Sequence, residues 1–336
     1  MTAVTGPGPW PGVDALEAQN VVLGELGSTP EGVTGMPFAV VLTQRGPWSD
    51  LLGRAVGMLV DLPVELGPHG WRLTGRPGGD LVRSRSYLRE DVDALAVAAH
   101  GWSGPLVVPV CGPVTTAASV DLARGDRVLS DAGASRDVAE SLAAGVVDHL
   151  ASLRRAVPGA RPTLLLHEPA LAAAIEARVP TFSGRATLRA VPMQVAGERI
   201  AAVAAAARAA GAGHVVVHTG SSVVGLPAAL AAGAEGVAVE IQDLPAAGWE
   251  QLAGAVEAGT ALWAQLAPAP RAPGGAVDVA AHAQQLLQPW SRIGLATAQL
   301  EGVVLMAAVA DGAPSARSGL AEAVQAAQRV ADRAAG

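Results

Sequence analysis

Short runs of branched and leucine side chains recur along the chain, each stopping near Gly, Pro or a polar residue: FAVVLTQ, PLVVPVCG, RPTLLLHEP, GHVVVHTG, GVAVEIQ, TALWAQLAP and GVVLMAAV. Between them lie Ala-rich segments with helical spacing, such as SDLLGRAVGMLVDL, REDVDALAVAAHGW, SRDVAESLAAGVVDHLASLRRAV, ERIAAVAAAARAAG and GWEQLAGAVEAG. Strands that read as unbroken apolar runs belong to parallel sheets covered on both faces. Repetition of the unit about seven or eight times favours a closed (β/α)8 barrel over an open doubly wound sheet. Periodicity alone does not distinguish closure, so the open sheet stays as the alternative.

The sequence predicts one barrel domain over residues 1–336. Residues 1–35 form a turn and helix packed on it, and residues 316–335 a capped C-terminal helix. The stretch RAPGGAVDV, residues 271–279, is the most linker-like, but strand–helix alternation continues past it.

In such barrels chemistry sits where strands end and enter the following loops. The candidates are therefore Cys111-Gly112-Pro113, His167-Glu168-Pro169, His218-Thr219-Gly220 and Glu240. His218 and Glu240 end neighbouring strands and offer an imidazole nitrogen and a carboxylate oxygen, both zinc ligands. Equally, the histidine could bond a backbone carbonyl and the glutamate cap a helix. Glu168 precedes Pro169 at the start of a predicted helix, where a carboxylate could hold a substrate amine or cap the helix. Cys111 reads as a buried strand-end thiol. Arg83, Arg85 and Arg89 in LVRSRSYLRED form either a solvated helix face or an attraction for an anionic substrate tail.

Composition removes several classes. The net charge is −7 and all 23 basic side chains are arginines, with no basic block, which argues against nucleic acid. The single cysteine excludes a disulfide framework and any zinc site built on two thiolates. No signal-peptide pattern or convincing membrane span is seen, so a cytoplasmic protein that does not act at membranes is expected.

Several stretches together resemble the cobalamin-independent methionine synthase family, in its catalytic C-terminal-type barrel and the short single-domain actinobacterial form. TGPGPWPGVDALEAQNVVLGEL is similar to the opening turn and helix. GPLVVPVCGPVTTAASVDLARGDRVLSD carries a Gly-Pro-x-Thr turn that includes Thr115. LLLHEPAL resembles the strand ending in Asp-Glu-Pro, and GHVVVHTG resembles the strand carrying His-x-Cys. Order and spacing, rather than any single motif, carry the likeness.

The resemblance implies a β/α barrel in which zinc, without cobalamin, activates a thiol amino acid for methylation by a methylated folate. It implies His218 and Glu240 as metal ligands, and Glu168 and Thr115 on the substrate, where Arg83 of the arginine cluster is the further candidate. The chain departs from that pattern at several points. Gly220 stands where the first thiolate is expected, Gln299 is expected at the late one, His167 replaces the Asp of Asp-Glu-Pro, and Pro9 replaces an early serine. Three functions follow: a methionine synthase-like S-methyltransferase, a metal-free pseudoenzyme or binding protein (with a protein partner possible) on the same barrel, or a different enzyme using His167 and Glu168 as acid and base.

Overall fold

The computed structural model describes residues 1–272 and 274–336; Pro273, inside the linker-like RAPGGAVDV stretch, lies outside the described residues. Eight parallel strands form one sheet: β1 (Thr2–Thr5), β2 (Val33–Gly35), β3 (Gly104–Cys111), β4 (Ala160–His167), β5 (His214–His218), β6 (Gly236–Glu240), β7 (Ala261–Gln265) and β8 (Val304–Met306). Each pairs with its neighbour in chain order, and β1 pairs with β8 in the register Ala3–Val304, Val4–Leu305 and Thr5–Met306. The remaining seam, between β2 and β3, is joined at Phe38–Val107. There the Ala39 N–H donates to the Val107 carbonyl at 2.9 Å and the Val107 N–H to the Pro37 carbonyl at 2.8 Å. The sheet is thus a (β/α)8 barrel.

Burial explains the continuous apolar runs. Leu164, Leu165, Leu166, Val215, Val216 and Val217 are all shielded from solvent, because odd residues face the barrel interior and even residues face the helices, or the reverse. The helices are α1 (Ala15–Leu26), α2 (Leu51–Met58), α3 (Gly79–Ala98), α4 (Pro113–Ser119), α5 (Ala132–Ala156), α6 (Leu171–Ile175), α7 (Met193–Ala209), α8 (Leu226–Ala231), α9 (Ala246–Glu257), α10 (Val279–Arg292) and α11 (Ala313–Ala335). Asp14, Asp131 and Asp278 begin α1, α5 and α10 by accepting from the Glu17, Ala134 and Ala281 N–H groups, each of which would otherwise lack an intrahelical partner.

The N-terminal region differs from expectation. Thr2–Thr5 and Val33–Gly35 are staves of the barrel, not a turn packed on its outside. FAVVLTQ is a stave only at its edge. Phe38 bridges to β3, while Val41–Leu42 pairs with Pro9–Trp10 above the barrel end. Outside the sheet, α2 and α3 share a buried charge cluster in which the Asp91 carboxylate takes Arg45 at 3.1 Å and pairs directly with Arg54. No helix among the described residues is long and apolar enough to cross a membrane.

Candidate functional site

The register of the sheet sets three candidates side by side. Cys111 is opposite His167, and His167 is opposite His218, so the C-terminal ends of β3, β4 and β5 form one row. The two imidazoles lie with centroids 4.9 Å apart, at 60°. His218 is in register with Ala238, so Glu240 falls two residues further along the same face, one layer outward. Sequence reading paired His218 with Glu240; in the fold the nearest ionisable neighbour of His218 is His167.

All of this row is sealed. Residues 2–8 are buried, and the turn after β1 lies over the strand ends, with Gly8 at a φ of +107° against the Pro109 ring. Burial, reinforced by the adjacent His218, pushes the His167 imidazole well below its usual range, with the Pro7 backbone opposing. Burial alone takes His218 down to about 4, opposed by the Gln265 amide. Both rings are neutral at pH 7. His167 Nε2, His218 Nδ1 and Nε2, Thr219 Oγ1 and Gln265 Oε1 are buried without hydrogen-bond partners. Such concentration of unpaired buried polar atoms is unusual in folded proteins.

Thr219 was among the strand-end candidates as part of His218-Thr219-Gly220, and Gln265 was not. Its signal was available, since Gln265 ends the apolar run of β7. A glutamine does not announce chemistry alone, and only the sheet order sets β7 one strand away from β5.

Glu168 is occupied elsewhere. It is fully buried, and its Oε1 and Oε2 accept from the N–H groups of Val114 and Thr115 at 2.9 and 2.7 Å, at the first turn of α4. Burial raises its carboxyl to about 7, against the lowering by those hydrogen bonds. Thr115 is part of the same clasp, its hydroxyl accepting from the Ala170 N–H at 3.2 Å. The expected cap on Glu168's own helix is not what forms. That helix is the short α6 with Ala170 at its N-cap, and the carboxylate reaches across to α4 instead. Both oxygens accept from α4, and among the described residues no hydrogen bond joins Glu168 to His167.

Arg83 lies on α3, stacked 4.4 Å above the Trp48 ring, and Arg85 donates to the Gly57 and Leu59 carbonyls. Neither is on a strand end. Gln299 lies in a short 3-10 helix before β8, at the opposite end of the barrel from His218, and accepts from the Ala296 N–H at 3.1 Å. The expectation that it holds the place of a late metal ligand is therefore corrected: a residue at the mouth end of β8 must follow Met306.

The donor set does not fit a thiol-activating zinc. Cys111 is buried, and burial, and then the Glu168 carboxylate, push its thiol up to about 12. Gly220 has a φ of +70°, a conformation a cysteine would adopt only under strain. Among the described residues no group of three or more His, Cys, Asp and Glu side chains is arranged to hold a metal ion. Two neutral imidazoles with one carboxylate a layer away fall short of the three convergent protein ligands of a catalytic zinc.

The fold and site define a β/α barrel with a buried imidazole pair at its C-terminal mouth. Compared with solved structures, the chain is similar to a B12-independent methionine synthase from Shewanella sp. W3-18-1 in complex with selenomethionine, with a TM-score of 0.57 over 97% of each chain at 10% identity. That likeness is one of fold. The carboxyl transferase domain of Rhizobium etli pyruvate carboxylase aligns with a TM-score of 0.26, at 13% identity, over 68% of this chain and 40% of that one, and carries no argument. No family model and no curated protein matches the sequence.

Proposed function

We propose that this methionine synthase-like barrel binds a thiol or thioether amino acid at its mouth through neutral side chains, without the zinc that would turn the thiol into a nucleophile. The observation that carries the reading is the set of unpartnered atoms of His167, His218, Thr219 and Gln265 at the ends of β4, β5 and β7. It is rich in acceptors. Gln265 Oε1 can only accept, and each neutral imidazole keeps one lone pair, so an ammonium group satisfies them. The remaining N–H, that of His218, suits a carboxylate. The Shewanella barrel holds selenomethionine, an amino acid of this class, which is why the class is chosen. Opening the turn over the mouth would admit it.

The test is calorimetric titration of the chelator-treated protein with L-methionine and L-homocysteine. One-to-one binding is expected, indifferent to chelator and weakened about tenfold by His218→Leu or Gln265→Leu, the loss of one or two hydrogen bonds. Stoichiometric copurified zinc, or methyl transfer from a methylated folate to homocysteine, would overturn the metal-free reading. Failure of both amino acids to bind would overturn the ligand class.

A further inference from the structure

At the end of the barrel opposite the mouth, α10, α11 and the short helix Thr297–Gly302 enclose a groove of about 700 Å³. Buried Trp290, Leu295 and Leu300 line it, with Leu287 as a half-buried apolar edge. Every polar side chain of the lining can donate a hydrogen bond: the Gln284 and Gln288 amides, the Ser291 and Thr297 hydroxyls, and the Arg292 and Arg333 guanidiniums. No acidic side chain lines this groove, in a chain whose net charge is −7.

Both arginines are exposed, and each sits in the last turn of its helix, where an arginine often bonds the final carbonyls. Neither does so here. At the end of α10 the Pro289 and Ser291 carbonyls already accept from the Ile293 and Gly294 N–H groups, at 3.0 and 3.2 Å. Arg271 and Arg317 have partners in Glu322 and Glu25, whereas Arg292 and Arg333 have no ion pair or hydrogen bond among the described residues. Asp332 and Gly336 line an adjoining hollow that shares Arg333, and the Asp332 carboxylate takes the Gln328 amide at 2.9 Å. Two guanidiniums without a counter-ion on one groove repel each other, and an anion held by both removes that cost.

The donors decide which anion. A guanidinium presents a planar fork of N–H groups that matches two oxygens of a carboxylate or a phosphate. A carboxylate brings a single charge and leaves one of the two arginines unanswered. A phosphate monoester brings close to two charges at neutral pH, and its three free oxygens can also accept from the hydroxyls and amides of the lining. Leu287 gives an apolar carbon body a surface to lie on.

We propose that this groove binds a small phosphate monoester, its phosphate held by Arg292 and Arg333 and its apolar body lying on Leu287. The site is at the other end of the barrel from the imidazole pair and does not rest on the reading given for the mouth.

Titration with phenyl phosphate, followed by calorimetry and by its phosphorus NMR signal, tests this. One-to-one binding is expected. Phenyl sulfate, a similar body with a single charge, and inorganic phosphate, with no body, are each expected to bind about tenfold more weakly. Arg292→Gln and Arg333→Gln are each expected to cost about tenfold in affinity, and the double variant to abolish binding. Both side chains are exposed, so these changes leave the core untouched. Arg124→Gln, which removes an equal charge from an exposed position between α4 and α5, is expected to leave binding unchanged. Absence of phenyl phosphate binding, equal affinity for either of the weaker probes, binding that survives the double variant, or a loss in Arg124→Gln as large as in Arg292→Gln would each overturn the proposal.

Discussion

Glu168 occupies the space that Gly112 leaves open: a methyl group at residue 112 would stand 2.4 Å from the Glu168 carboxyl carbon. The glycine and the glutamate are on different strands' ends and far apart in sequence, yet each fixes the other. Gly112→Ala is expected to destabilise the protein by about 1–3 kcal/mol, the usual cost of overpacking a full interior. Urea unfolding measures this, and an unchanged midpoint would show that the Glu168 side chain yields without cost.

Replacing the carboxylate tests its charge. Its folded pKa of about 7 lies above the ordinary 4.5, so the stability tied to its protonation is fully present below pH 4.5 and is lost as pH rises through 7. The stability of the wild type minus that of Glu168→Gln is therefore expected to fall by about 3 kcal/mol between pH 4.5 and 8. A difference that stays level across this range would mean that the clasp on Val114 and Thr115 outweighs burial.

His218 carries the opposite sign. Its folded pKa of about 4 is below the ordinary 6.5, so its contribution is complete above pH 6.5 and disappears as pH falls through 4. Relative to the wild type, His218→Leu is expected to remove about 3 kcal/mol of acid sensitivity between pH 6.5 and 4. Equilibrium unfolding at a series of pH values reads this directly, and parallel profiles for the two proteins would refute it.

Asp91→Asn strands Arg54, while Arg45 keeps Glu90 at 2.7 Å. Arg54 and Arg45 both lean on this carboxylate in a buried setting, and burial already lowers the Arg54 guanidinium pKa. A loss of about 3–5 kcal/mol is expected, since removing one partner of a buried pair leaves charge uncompensated. Thermal unfolding is the measurement; a change of less than about 1 kcal/mol would place water in the cluster.

The barrel was legible because its central strands are buried on both sides and cannot hide a polar residue. LLLH and VVVH announce themselves. The strands Thr2–Thr5 and Val33–Gly35 escaped detection since they are short and carry threonines, and FAVVLTQ, apolar throughout, drew the strand reading to itself. At the site, the strand-end rule picked out Cys111, His167 and His218, which the sheet sets in one row at the ends of β3, β4 and β5, with Glu168 following. It could not tell which of them face one another. Glu168 looked like the cap of the helix that follows it, and the competing α4 lies 53 residues back in the chain. Gln299 was misplaced because the end of β8 was not recognisable in GVVLMAAV, where apolar residues run past the strand on both sides.

The pairing of β1 with β8 also has a meaning in time. Thr2–Thr5 leaves the ribosome long before Val304–Met306, its hydrogen-bonded neighbour. Until then the growing sheet has a bare edge at β1, with unpaired N–H and C=O groups open to any extended segment nearby. The Thr2 hydroxyl that finally donates to the Leu300 carbonyl spans 298 residues of sequence. Ring closure in this protein waits until Val304–Met306 has been made, and until then the nascent barrel must be kept from other strands.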